Sequence, residues 1–129
     1  MNRQHGFTVI EILVAIAFLA FAGSLFYVQK NDLVIATRDN DRKTAINAMY
    51  YNLEEVYYTA NNSYPKVISG DNLKAMNPEL LKDPDSVAIG EQSSDYRYEP
   101  SGCNGEVCTS YTLRADLENE ADFVKNARH

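Results

Sequence analysis

Apolar residues run almost unbroken from Phe7 to Val28 and then give way to a polar stretch, QKNDLVIATRDNDRKT, over residues 29–44. They return at Ile46, Met49, Leu53, Val56, Tyr57 and Ala60, in steps of 3, 4, 3, 1 and 3. Those steps trace one face of an amphipathic helix. No proline precedes Tyr64, and Gly23 is the only glycine between Phe7 and Ala60. The pattern therefore predicts one continuous helix, ~80 Å long at ~1.5 Å per residue. A globule of 129 residues has no room for such a rod, so the first half is expected to project from a small head. The helix should stop near Asn61-Asn62-Ser63, with Pro65 just beyond.

Past that stop the pattern changes. Residues 63–94 predict a long connection with one or two short helical turns. Asn77-Pro78-Glu79 is one helix start, with Asn as cap and Pro at the first position. Leu73, Met76, Leu80 and Leu81 are expected to pack on the main helix. Alternation then signals strands: Tyr96 and Tyr98 share one face, as do Tyr111, Leu113, Ala115 and Leu117. Asn104-Gly105 between them marks a hairpin. A third strand is expected near Val87-Ala88-Ile89, and the tail ENEADFVKNARH as a last turn or disordered. The predicted class is α+β, a long N-terminal helix with a small C-terminal antiparallel sheet packed on it. Its parts are a leader (1–6), an apolar helix (7–28), an amphipathic helix (29–62), a connection (63–94) and a hairpin with tail (95–129).

The apolar run spans ~33 Å, enough to cross a bilayer. Arg3 and His5 place positive charge before it, which fits a cytoplasmic N-terminus. Glu11 is the one residue inside the run that carries a charge at neutral pH. A carboxylate in hydrocarbon costs ~2–3 kcal/mol or more, so Glu11 needs a partner or a reason.

Composition narrows the functions. Net charge is −6, and from residue 76 onward eleven acids face five bases. Such a surface repels nucleic acid, and no direct binding to it is predicted. The only histidines are His5 and His129, and no P-loop, GxSxG or GxGxxG is present. No catalytic role and no cofactor are expected. Cys103 and Cys108 flank the hairpin signal. A bridge there would close a short loop and contribute ~2 kcal/mol; a structural staple is favoured over a redox pair.

Three readings compete for the N-terminus. An ordinary secretory signal would be cut after Ala20-Phe21-Ala22, leaving a secreted or anchored binding module, but the apolar character continues past that cut. A plain anchor helix explains the length and not Glu11. The third uses every feature: Gly6-Phe7-Thr8-Val9-Ile10-Glu11 ahead of an apolar helix resembles the type IV pilin family and its type II secretion pseudopilin relatives.

The resemblance implies cleavage by prepilin peptidase between Gly6 and Phe7, N-methylation of Phe7, and retention of Glu11. It implies insertion in the inner membrane, contact with an inner-membrane assembly machinery, and a helical homo-oligomeric filament. Glu11 would neutralise the Phe7 amine of a neighbouring subunit and so set register. The stretch YTANNSYP at residues 58–65 resembles the helix exit of the same family. Many members carry a proline late in the apolar segment where the helix melts; here Gly23-Ser24 is the flexible point. Some pseudopilins bind calcium near an Asp-Pro stretch, and Asp83, Asp85 and Asp95 are the matching acids. The aromatic and glycine residues that follow Asp-Pro in that pattern are missing, which favours solvated loop acids with no metal.

Overall fold

The computed structural model describes residues 6–129, so Arg3 and His5 lie outside the described residues. Two compact bodies, residues 1–35 and 36–129, are distinguished.

Helix α1 spans Val9–Tyr51. A π-helical stretch, Asn52–Tyr57, and a short helix α2, Tyr58–Asn61, continue it. In the first body every described residue from Gly6 to Val34 is exposed. This helix is long and apolar enough to cross a membrane. The Ser24 hydroxyl donates to the Phe21 carbonyl at 2.8 Å, and the helix continues through Gly23-Ser24.

In the second body Ala45, Ile46, Met49 and Leu53 form the helical side of the core. Each large apolar side chain buried there contributes ~1.5–3 kcal/mol relative to exposure. The expected face then breaks. Val56 is 38% exposed and Ala60 is exposed, while Asn52, Leu53 and Glu54 are all buried. The cause is the π turn, whose extra residue per turn shifts the phase of the helix. Asn62 ends the helix in the left-handed region, with φ 53°, and its N–H donates to the Tyr58 carbonyl at 2.7 Å.

Strand β1 (Tyr64–Pro65) pairs antiparallel with β3 (Val107–Cys108). A second antiparallel sheet has the order β2-β4-β5, with β2 at Tyr96–Ser101, β4 at Ser110–Ala115 and β5 at Phe123–Asn126. Tyr96 lies opposite Ala115 and Ser101 opposite Ser110. Tyr64, Tyr96, Tyr111, Leu113 and Ala115 are buried. Leu117 lies past the end of β4 and is half-buried.

Two expectations need correction. Val87-Ala88-Ile89 is not a strand; a single bridge joins Ala88 to Lys82. The third strand is β5, in the tail expected as a turn or disordered. The connection behaves as read elsewhere. Leu73 and Leu81 are buried, and Met76 and Leu80 pack against the core. Asn77 caps a 3-10 turn, Pro78–Leu81, by accepting the Glu79 N–H at 3.0 Å. Asn52 ties the connection to the helix by accepting the Ala75 N–H at 3.2 Å.

Candidate processing and assembly site

Gly6, Phe7 and Thr8 precede the first helical residue, Val9. Gly6 has open space where a Cβ would stand, and Phe7 is 83% exposed. The Gly6–Phe7 bond is therefore exposed in the non-helical residues just ahead of the helix.

Glu11 sits in the first turn, and its neighbour there is Thr8. The Thr8 N–H donates to Glu11 Oε2 at 2.9 Å and the Thr8 hydroxyl donates to the same oxygen at 3.0 Å. In return the Glu11 N–H donates to Thr8 Oγ1 at 3.3 Å. The Ile12 N–H reaches the Thr8 carbonyl at 3.2 Å, closing the first α-helical bond. This is a capping box: Thr at the N-cap and Glu three residues on satisfy each other's backbone donors. Both donors would otherwise be orphans in an apolar surrounding, where unsatisfied groups cost most.

Glu11 therefore has a local partner that sequence reasoning missed. The signal was present, because Thr-x-x-Glu before an apolar run is the box's own spacing. Ile10, Val14, Ala15, Phe18 and Leu19 form an apolar groove beside the carboxylate on the same helix.

Residues 1–26 match the family model described as the prokaryotic N-terminal methylation motif. The chain carries a prepilin-type N-terminus. That signature marks type IV pilins and pseudopilins. No curated protein and no solved structure matches the chain.

Downstream of the prepilin-type segment, Cys103 and Cys108 form a disulfide with their Cα atoms 3.9 Å apart. Cys108 is buried and Cys103 exposed. The bridge closes a loop in which the Asn104 N–H donates to the Val107 carbonyl at 2.8 Å. Gly105 and Gly102 have φ of 65° and 61°, a region that L side chains rarely adopt. The hairpin is thus not a two-residue turn: β2 and β4 are joined through residues 102–109, and β3 within them pairs with β1.

The loop acids separate. Asp83 is buried, and it is not a solvated acid. Its Oδ1 accepts the N–H groups of Asp85 and Val87 at 3.0 and 2.8 Å, and its Oδ2 accepts that of Asp95 at 3.0 Å. The Asp95 carboxylate is turned to Arg42, 2.7 Å away, and Asp85 is exposed. Among the described residues, no three His, Cys, Asp or Glu side chains converge on one point.

Proposed function

We propose that this chain is a structural, non-catalytic subunit of a type IV pilus-like filament. It is made as a precursor with its N-terminus in the cytoplasm and its apolar helix in the inner membrane. Prepilin peptidase cuts between Gly6 and Phe7, and Phe7 is methylated. The helix then leaves the membrane for a bundle of identical helices, in an extracellular fibre used for adhesion, motility or DNA uptake. Burial of residues 7–28 among copies supplies most of the association energy.

The observation that supports this reading is an acid in the first turn of an apolar helix exposed as far as Val34, inside the methylation motif matched over residues 1–26. Cutting after Gly6 creates an amine at Phe7. In a water-poor bundle an unpaired ammonium or carboxylate costs several kcal/mol, and a matched pair far less. Glu11 pairs with the amine of a neighbour, and a wrong register leaves both charges alone.

The capping box permits a clean test. Glu11→Gln keeps an acceptor for Thr8 and removes the charge; Thr8→Val removes the cap and keeps the charge. Glu11→Gln is expected to insert and to be processed while fibre yield falls at least tenfold. Thr8→Val should lose much less. Normal fibres from Glu11→Gln would overturn the register role. The same subunit in a short periplasmic pseudopilus of a secretion system is the second reading. The YTANNSYP helix exit is shared with pseudopilins, while the stapled hairpin leans toward a pilin; copy number in sheared surface fibres separates the two.

A further inference from the structure

Asn104-Gly105 stands at the tip of the stapled loop, and filament assembly does not use its chemistry. The Asn104 N–H donates to the Val107 carbonyl at 2.8 Å, and the Val107 N–H donates back to the Asn104 carbonyl at 3.4 Å. Those bonds close a turn over Gly105 and Glu106, and residues 104–107 are all exposed. Gly105 takes the first central position with φ 65°, the place that favours glycine in a type II′ turn. The turn satisfies the backbone of Asn104 and leaves a reactive pair free. Among the described residues, no partner meets the Asn104 side-chain amide and no acceptor meets the Gly105 N–H. Apart from its chain neighbours, no atom lies within 4 Å of where a Cβ of Gly105 would stand.

An exposed asparagine amide and the main-chain nitrogen that follows it are the reactants of deamidation, the reaction that makes asparagine thermolabile. Glycine, with no Cβ, hinders the attack least. The other asparagines are worse placed. Asn52, Asn61, Asn72 and Asn126 hold their side chains in hydrogen bonds. Asn77 is followed by proline, which has no N–H. Asn104 is the one asparagine followed by glycine.

We propose that Asn104 is a self-modification site, converted in the folded chain to isoaspartate and aspartate with the Gly105 nitrogen as nucleophile. That nitrogen gives its proton to solvent and bonds to Asn104 Cγ. The Cγ–Nδ2 bond breaks, and Nδ2 takes up a proton and leaves as ammonia. Water then opens the cyclic imide. Attack at the side-chain carbonyl leaves aspartate; attack at the main-chain carbonyl leaves isoaspartate. The sum is amide plus water to acid plus ammonia, with nothing oxidised or reduced. Isoaspartate lengthens the main chain by a carbon inside the loop that Cys103 and Cys108 close, so the Asn104–Val107 bonds lose their register. The next contacts along are those to β1: the Glu106 carbonyl accepts the Lys66 N–H at 3.0 Å, and Val107 lies opposite Pro65. The product is therefore a one-way mark of a subunit's age that loosens the β1–β3 pairing.

The test is peptide mapping by mass spectrometry of the full, oxidised chain held folded in detergent micelles at neutral pH, with isoaspartate read by enzymatic methylation of its carboxylate. Asn104 is expected to convert ahead of every other asparagine, within about tenfold of its rate in the same chain reduced and unfolded. Gly105→Ala should slow conversion about tenfold or more, and Asn104→Gln should remove the product. The isoaspartate form, once separated, should exchange its Lys66 amide faster than the unmodified form. An amide that survives at residue 104 in the folded chain while the unfolded chain converts would sink the proposal. So would earlier conversion of another asparagine, or an unchanged rate in Gly105→Ala. The unaltered chain decides the matter by itself even where Gly105→Ala disturbs the loop.

Discussion

Arg42 is a full guanidinium charge at 3% exposure, and three carboxylates from three parts of the chain answer it. Asp39 lies 2.9 Å away, Asp95 2.7 Å and Glu118 2.9 Å. Asp39 in turn accepts the N–H groups of Glu118 and Asn119 at 3.0 and 3.3 Å, and Arg38 also pairs with Glu118. Arg42→Met fills the space and leaves Asp39 buried without its cation. Removing one partner of a buried pair costs about 3–5 kcal/mol, and urea unfolding in detergent should show a loss of that size. Burial alone would push the Asp39 carboxyl up; the two amides and Arg42 outweigh it and hold it below its ordinary value. Glu118 is also lowered, by Arg38 and Arg42. Depressed carboxylates stabilise the fold above their unfolded values, near 3.9 and 4.3, and lose that stabilisation as pH falls through the folded ones. Unfolding midpoints should therefore hold down to about pH 5 and drop steeply below pH 4.

Among the elements, the hairpin loop carries the sharpest steric constraint. Gly102 has φ 61°, and a Cβ there would stand 2.0 Å from Thr109 Oγ1. Gly102→Ala should destabilise the loop by about 1–3 kcal/mol, seen as faster exchange of the β1–β3 amides; Gly105→Ala, with open space around it, should cost less. The loop also shows what was legible beforehand. Asn104-Gly105 and the flanking cysteines marked the turn, but nothing local marked β3 as the partner of β1, because two-residue strands have no period. Helix positions 46–53 were readable from spacing alone. Val56 and Ala60 were not, since a π turn shifts phase without changing composition. β5 escaped for another reason: Phe123-Val124-Lys125-Asn126 lacks alternation, and its pairing with β4 across Leu113–Lys125 and Ala115–Phe123 is a tertiary decision. At the N-terminus, Gly6, Phe7 and Glu11 stood out in sequence. The role of Thr8 did not, because an acid in hydrocarbon fits a charged partner on another subunit as well as a capping threonine three residues away.

At the scale of the molecule, the two bodies ask for different surroundings. Residues 7–28 leave large side chains open, among them Phe18 at 73% and Phe26 at 74%, so the full chain needs lipid, detergent or other copies of itself. The second body has its own core and its own disulfide. Determination of the N-terminus and intact mass, in membranes and in sheared surface material, is expected to give a methylated Phe7 start and a mass two hydrogens lower for the bridge. A start at Gly23 would make this a secreted module and leave Glu11 an accident of a signal peptide.

If the chain is cut between Gly6 and Phe7 as proposed, the helix cap survives the cut. Thr8 and Glu11 both lie downstream of the Gly6–Phe7 bond, so cleavage removes no part of the helix start. What it changes is formal charge. The new ammonium would appear beside the positive end of the helix dipole, where a cation is unwelcome. An acid already fixed in the first turn offsets the dipole and the ammonium together. On the proposed function, the cut would alter electrostatics on a finished scaffold, and the mature end would need no refolding before meeting a neighbour.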